Sequence, residues 1–265
     1  MNGNTGLLQP RIPLAISHHM SEQISSHRLF VEDSLSEGTI YGCLPTQAHY
    51  LLSVLRLGEG ALLPIFNGID GEWLAELHLQ GKKKCHLVVT RQLRPQTGGP
   101  MIHYLFAPLK KARLDYMAQK ATELGVQSMQ PVLTRRTNVA RINEGRLHAN
   151  VIEAAEQCGV LRLPKVLEPV KLDQVLEQWD KDIPIIFCDE AADVKSPLEV
   201  LSKLQVDAPL GVLIGPEGGF DDVERQKLHG LPFVHAISLG PRIMRADTAA
   251  VAALTLVNAV LFDWR

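Results

Sequence analysis

The chain has 265 residues, of which 46% are hydrophobic and 21% are charged, and its formal net charge is −2. This is the composition of an ordinary globular protein with room for two modest domains, and it excludes a protein that is a polycation as a whole. The charge is nevertheless uneven. Residues 110–146 carry eight basic and three acidic side chains, whereas residues 147–265 carry 11 basic and 18 acidic ones. Such a local basic block suits either a polyanionic partner or a solvated helix face.

The first 27 residues are polar and mixed, and we predict a flexible N-terminal extension with no secretory signal. Either Met1 or Met20 could be the translation start. The pair His18–His19 has no nearby ligand partner, so we predict no metal site there. The four cysteines are widely spaced, which is typical of reduced thiols in a cytoplasmic protein.

Residues 28–94 have the pattern of a small β-barrel. The predicted strands cover residues 28–31, 61–67, 73–79 and 86–91, and a helix is predicted over residues 47–56. Several short strands in so few residues are typical of such barrels. The Pro- and Gly-rich residues 95–100 predict a linker, and we place the domain boundary there.

Residues 101–265 alternate strands with helices, which predicts an α/β fold with a mostly parallel sheet. The predicted strands cover residues 101–109, 126–133, 166–168, 183–188, 210–214 and 234–238. The predicted helices cover residues 113–124, 144–158, 171–179, 197–204, 221–229 and 246–262. The last helix includes an uncharged run of 15 residues, 248–262, which is too short to span a membrane and predicts a buried helix.

A glycine-rich loop follows the predicted strand at 210–214, with the sequence Ile-Gly-Pro-Glu-Gly-Gly-Phe over residues 214–220. Its three glycines, Gly215, Gly218 and Gly219, allow a sharp turn and a close approach to a ligand. The next helix begins with acidic residues and no Gly-Lys-Ser/Thr follows, so phosphate-binding fingerprints fail. The position at the end of a buried strand favours a ligand held by backbone groups, with an ordinary tight turn as the alternative.

A second loop, over residues 238–245, also follows a predicted strand. It contains Arg242 and Arg245, and the next helix opens with Asp247 and Thr248, which are capping residue types. An arginine beside a ligand site has donors that suit phosphates and base edges. The simpler alternatives are that Asp247 or Thr248 only caps the helix and that Arg242 only pairs with an acidic neighbour.

Together these motifs resemble the RsmE-type methyltransferases, enzymes of the SPOUT class that use S-adenosylmethionine (SAM) to methylate N3 of a uracil in 16S rRNA. Residues 28–31 and 66–73 resemble the family's PUA-like barrel, and residues 120–126 and 153–159 resemble its early catalytic-domain signatures. Only residues 1–27 fall outside the resemblance. The sequence departs from the family pattern at Asp247, where glutamate is common, and at Val160, where arginine is common; the nearest arginine is Arg162.

The resemblance implies a PUA-like RNA-binding β-barrel over residues 28–94 and a SPOUT α/β trefoil-knot domain over residues 101–265. It implies SAM as methyl donor and no metal. The residues expected to bind SAM are Ile214, Gly215, Glu217, Gly218, Gly219, Leu239, Gly240, Ile243, Met244 and Thr248. Arg245 is the first candidate for stabilising the uracil anion and Arg242 the second. Glu217 and Asp247 are both left open as acceptors of the N3 proton.

The RNA-binding residues are expected among Arg28, Lys110, Lys111, Arg113, Arg135 and Arg136. The expected partners are 16S rRNA or the small ribosomal subunit, and a second copy of the chain packed against the helix at 248–262, in the cytoplasm and away from any membrane. Burial of that helix within one subunit would explain its composition equally well. Two rival hypotheses are a SPOUT methyltransferase with another RNA target and a non-catalytic RNA-binding assembly factor.

Overall fold

The structure is a computed structural model that describes residues 23–138, 142–192 and 196–264. Most of the predicted N-terminal extension lies outside these residues, as do both candidate start methionines and the histidine pair. The described end of that extension differs from the prediction. Ile24 forms a parallel bridge with Leu62, and the Ser25 backbone N–H donates to the Leu62 carbonyl oxygen at 2.8 Å. Residues 24 and 25 therefore belong to the N-terminal sheet.

Five strands form the N-terminal sheet: β1 (Leu29–Phe30), β2 (Ile40–Gly42), β3 (Leu62–Phe66), β4 (Glu72–Leu79) and β5 (Cys85–Arg94). Their order is β1-β3-β4-β5-β2; β1 is parallel to β3 and the other pairs are antiparallel. Alternate residues such as Leu63, Ile65, Leu77 and Leu87 are fully buried, as expected for strands that cover one core. Strand β2 was not predicted, because three residues are too few to show a periodicity.

The two edge strands of this sheet are joined by a side chain. Gln47 lies in helix α1 (Pro45–His49), accepts a hydrogen bond from the Tyr41 hydroxyl of β2 at 2.9 Å and donates to the Phe30 carbonyl oxygen of β1 at 3.1 Å. The helix predicted over residues 47–56 is thus only partly correct, since it begins earlier and continues as a π-helical turn over Tyr50–Val54.

The second sheet contains β6 (Ile102–Phe106), β7 (Ser128–Leu133), β8 (Lys165–Val166), β9 (Val170–Lys171), β10 (Ile185–Cys188), β11 (Leu210–Ile214) and β12 (Val234–Ile237). The strand order is β12-β10-β11-β6-β7-β8, with β9 also beside β7. Every one of these pairings is parallel, so the predicted α/β class is confirmed.

Six helices cover the two faces of this sheet: α2 (Lys111–Glu123), α3 (Glu144–Cys158), α4 (Leu172–Gln178), α5 (Pro197–Leu201), α6 (Asp222–His229) and α7 (Ala246–Leu261). Helices α2, α3, α5 and α7 share one apolar core, and α4 and α6 share another on the opposite face. All five residues of β11 are buried between these layers. None of the helices in the described part of the chain is long and apolar enough to cross a membrane.

A buried ion-pair network connects the N-terminal sheet to helix α3. Glu72, of which 6% is exposed, accepts hydrogen bonds from Arg28 (Nε to Oε1, 2.5 Å) and from Arg94 (Nε to Oε2, 2.8 Å). The two guanidinium groups also donate to carbonyl oxygens at the C-terminal end of α3, namely those of Ala155, Gly159 and Val160. That helix end has unpaired acceptors and the negative end of the helix dipole, so it suits two cations.

Arg28, which the sequence analysis assigns to RNA binding, lies at the contact between the N-terminal sheet and α3. Its side chain is 9% exposed, and its guanidinium stacks over the Phe66 ring, with 4.1 Å between Cζ and the ring centroid. Burial lowers the pKa of this guanidinium, and the hydrogen bond from it to Glu72 opposes that effect. Arg28 therefore holds the two domains together, and its contact with RNA stays a prediction.

The departure from the family pattern at Val160, and the nearby Arg162, lie at the same contact between the N-terminal sheet and α3. Val160 packs beside Phe66, Ala155 and Leu161 in a small apolar cluster between the domains. Arg162, half-buried, donates hydrogen bonds to the carbonyl oxygens of Gly99, Pro100 and Gly125. It therefore secures the connection between the two sheets.

Candidate active site

The two loops predicted from the sequence meet at the carboxyl edge of the parallel sheet. The first loop, residues 215–220, follows β11, and the second loop, residues 238–245, follows β12. Both line one cavity of about 310 Å³. A smaller cavity of about 60 Å³ adjoins it and shares five of its lining residues: Cys188, Asp189, Glu190, Met244 and Ala249. This edge is where α/β sheets commonly bind ligands.

Most of the residues expected to bind SAM lie in these walls. The large cavity is lined by Ile214, Gly215, Glu217, Gly219, Ile243 and Met244, and the small one by Leu239, Gly240 and Met244. Gly218 and Thr248 line neither of the two. The carbonyl oxygen of Gly218 instead accepts a hydrogen bond from Arg136 at 2.9 Å, and the backbone N–H of Thr248 donates to Asp247 Oδ1 at 2.9 Å.

Two glycines of the first loop are required by its geometry. Gly219 has φ +67°, which favours glycine. A Cβ on Gly215 would lie 2.5 Å from the Phe220 ring, which packs at 5.1 Å against the Phe187 ring. By contrast, a Cβ on Gly218 would meet nothing closer than 3.8 Å. The close approach of the backbone to Phe220 thus shapes the cavity wall.

The predicted arginines fall in different places. Arg245 is exposed and lines the large cavity, and Arg242 is exposed and lines the small one. Arg113, which the sequence analysis assigns to RNA binding, lines the large cavity with its side chain and forms an ion pair with Glu217, and its contact with RNA stays a prediction. Its Nε also lies 4.0 Å from Asp247 Oδ2. Arg113 therefore ties the first loop to the first turn of α7.

The other predicted RNA-binding residues surround the cavity. Lys110 and Lys111 are exposed at the N-terminal end of α2, which follows β6 at the same sheet edge. Arg135 lies after β7 and pairs with Asp221 at 2.9 Å, while Arg136 donates to the first loop at Gly218. The two arginines thus already have partners within the protein, whereas Lys110 and Lys111 are exposed.

The sequence reasoning missed a third wall of the site, formed by the end of β10 and by α6. Asp189 is 4% exposed; its carboxylate forms an ion pair with Arg225 (Nη2 to Oδ1, 3.0 Å) and accepts hydrogen bonds from His229 (Nε2 to Oδ2, 3.0 Å) and from the Ala191 backbone N–H at 3.1 Å. The Cys-Asp-Glu run after a predicted buried strand was the available signal, because polar residues at strand ends often face ligands. The sequence around Arg225, which lies within α6, contains no comparable pattern that would indicate a functional residue.

Cys188 closes this wall with a neutral group. Burial raises the pKa of its thiol to about 12, so the sulfur stays protonated near neutral pH and is no nucleophile. Within the described residues, no group of three or more His, Cys, Asp or Glu side chains is arranged to hold a metal ion. The site therefore offers backbone groups, apolar contacts and charged side chains for chemistry.

Comparison with known proteins identifies two family domains in this chain. Residues 97–258 match the RNA methyltransferase domain, and residues 45–90 match the RNA methyltransferase PUA domain. The first match alone covers more than half of the chain.

Individual relatives agree with these domains. A ribosomal RNA small subunit methyltransferase E from Rickettsia conorii is 30% identical over 233 residues, which are 88% of this chain and 95% of that protein. One from Synechocystis is 29% identical over 266 residues, covering 97% of this chain and 86% of that protein. The crystal structure of one from Neisseria gonorrhoeae, bound to S-adenosyl methionine, is 26% identical with a TM-score of 0.78 and covers 89% of this chain and 98% of that one. The chain therefore belongs to the RsmE family of SPOUT-class RNA methyltransferases, with a PUA-like domain before the methyltransferase domain.

Proposed function

We propose that this protein transfers a methyl group from SAM to N3 of one uracil in 16S rRNA. The observation that carries the proposal is the shared cavity, in which two backbone loops meet beside Arg245. The names of the relatives support the rRNA substrate, and the SAM-bound relative supports the donor.

The cavity fits a donor of this kind. Its volume of about 310 Å³, with a further 60 Å³ beside it, lies in the range of ordinary ligand sites. The walls combine apolar Ile214, Ile243 and Met244 with the close backbone of Gly215 and Gly219. When bound, SAM supplies an already activated methyl group, so the protein's tasks are positioning and electrostatics.

We expect Gly215→Ala to weaken SAM binding at least about fivefold, since overpacking of this size costs about 1–3 kcal/mol and the Phe220 ring must move. Gly218→Ala is the matched control, because it adds the same methyl group to the same loop and meets only ordinary contacts with the Arg136 side chain, and its affinity should stay within about twofold. Isothermal titration calorimetry with SAM measures both variants. Equal losses in the two would show that the Phe220 contact does not shape the site.

Uracil N3 carries a proton and is a weak nucleophile until that proton leaves. Arg245, exposed at the cavity wall, would donate hydrogen bonds to a uracil carbonyl oxygen and stabilise the anion. Arg242, at the smaller cavity, is the second candidate for this role. Glu217, which lines the large cavity, and Asp247 both lie beside Arg113, and both stay candidates for the acceptor of the N3 proton.

Four basic residues around the cavity would bind the RNA backbone: Lys110, Lys111, Arg135 and Arg136. Phosphate contacts of this kind set affinity and register, whereas the choice of base is made elsewhere. The target uracil must be unstacked to reach the cavity, because a base inside a helix is not accessible.

We expect the double variant Lys110→Gln/Lys111→Gln to reduce the salt dependence of RNA binding. The slope of log K against log salt should fall by about 1.4–1.8, from about 0.7–0.9 for each lost phosphate contact. Lys181→Gln/Lys203→Gln is the matched control, because these exposed lysines precede β10 and β11 at the opposite edge of the sheet. Filter binding over a salt series measures the slopes. An unchanged slope in the Lys110→Gln/Lys111→Gln variant would show that the RNA contacts another surface of the protein.

We further propose that the protein acts in the cytoplasm on the small ribosomal subunit or its rRNA and that it forms a homodimer. One face of α7, with Ala250, Leu254, Val257 and Leu261, is already buried inside the subunit. A second copy would therefore contact the opposite face of this helix. Light scattering of the purified protein gives its molecular mass in solution and so tests whether it is a dimer.

The function is tested by methylation of small-subunit RNA from a strain that lacks the protein. Purified protein and SAM should produce one 3-methyluridine, which mass mapping locates in 16S rRNA. A product found in tRNA instead would refute the rRNA target. Absence of SAM binding would favour a non-catalytic assembly factor.

A further inference from the structure

The end of β10 carries charge that the proposed methyl transfer has not used. Cys188, Asp189 and Glu190 line both the large and the small cavity, so they form a wall that the two share. The first loop belongs to the large cavity, and Leu239 and Gly240 belong to the small one. A ligand that extends from one cavity into the other must therefore pass Glu190.

Among the described residues of the large cavity, the carboxylates differ in how well their charges are matched. Asp189 is held by Arg225 and His229, and Glu217 by Arg113. Glu190 lies 3.9 Å from Arg225 Nη2, the atom that already contacts Asp189 at 3.0 Å. Its side chain is 52% exposed. Glu190 is thus the carboxylate in this wall with the weakest internal partner.

The Glu190 side chain is directed at the first loop. Its Oε1 lies 2.8 Å from the position that a Cβ on Gly219 would occupy. A Cβ at position 219 would therefore require the Glu190 carboxylate to move, in addition to the strain of φ +67°. The close approach places a negative charge against the loop that we assign to SAM binding.

We propose that Glu190 is a specificity-determining residue that favours the positively charged methyl donor over its neutral product. The inference rests on the proposed function, because it requires SAM in this cavity. SAM carries a sulfonium cation, whereas S-adenosylhomocysteine (SAH) is a neutral thioether with the same adenosine and amino-acid groups. A nearby carboxylate attracts the cation and has no comparable attraction for the thioether. Glu190 thereby strengthens the binding of the donor relative to that of the product.

The test is calorimetric titration of the purified protein with SAM and with SAH. Glu190→Gln removes the charge and keeps the shape, and it should lower the ratio of SAM to SAH affinity by about three- to tenfold, as expected for a partly exposed ion pair. Glu190→Asp should retain most of the ratio. Glu177→Gln, on the exposed side of α4 and outside both cavities, is the matched control and should leave the ratio unchanged. Added salt should lower the ratio of SAM to SAH affinity more in the wild-type protein than in the Glu190→Gln variant.

The possible results separate a failure of the Glu190 proposal from a failure of the proposed methyltransferase function. An equal loss of SAM and SAH affinity in Glu190→Gln would mean a contact with a group that both molecules share, and the charge discrimination would be wrong. An unchanged ratio would also overturn it. If the wild-type protein bound neither molecule, the proposed function itself would fail.

Discussion

Replacing Arg245 with alanine is expected to lower the rate of methyl transfer by about 10²–10³-fold, as the loss of one donor to a developing anion does in other enzymes. SAM affinity should change little, because we assign the Arg245 side chain to the uracil and the SAM contacts to other residues of the two loops, such as Gly215, Ile243 and Met244. Single-turnover methylation of 16S rRNA gives the rate, and calorimetry gives the SAM affinity.

Two comparisons make this result specific to Arg245. Arg242→Ala removes an arginine of the same loop from the neighbouring cavity and should lower the rate less. A more alkaline reaction should partly restore the rate of Arg245→Ala, because uracil then loses its N3 proton without the arginine. If SAM affinity collapsed in Arg245→Ala while the rate at saturating SAM stayed normal, the side chain would belong to the donor site.

Arg28→Met is expected to destabilise the protein by about 3 kcal/mol, because it leaves Glu72 buried with one cation fewer and leaves α3 carbonyl oxygens unpaired. Arg94→Met is the matched control within the same network. The Arg94 side chain is 46% exposed, so its loss should cost only about 1 kcal/mol. Urea unfolding at neutral pH measures the free energy of unfolding of both variants. Equal losses would show that the burial of Arg28 is not what strengthens the contact between the N-terminal sheet and α3.

The ion-pair network of Arg28, Glu72 and Arg94 also predicts that the protein loses stability in acid. Burial by itself raises the pKa of the Glu72 carboxyl, but hydrogen bonds from Arg94 and Arg28 hold this pKa below its ordinary value. A carboxyl whose pKa is lowered in the folded state contributes stability above its unfolded pKa of about 4.3, and that contribution disappears as the pH falls through the folded value. Glu72→Gln should therefore flatten the fall in unfolding free energy below about pH 4. An unaltered pH profile would exclude Glu72 as a source of the acid sensitivity.

Much of the architecture follows from local sequence patterns. Helix α3 and strand β11 have the predicted bounds, because a long amphipathic run and a short apolar run are distinct signals. Strands β2 and β9 were missed, since two or three residues have no period and exist only through pairing with β5 and β7. The π-helical turn after α1 likewise has no sequence signal.

The sequence by itself determined the family, the two-loop site and the arginine at its edge, because glycine spacing and strand ends are local properties of the chain. Only the tertiary structure decided the surroundings of Arg28, Arg113 and Glu190. Arg28 became buried between two domains, Arg113 joined the cavity wall, and Glu190 approached the first loop from a different strand. A charged side chain has the same composition in each setting, and what it does depends on which distant residues surround it when the chain has folded.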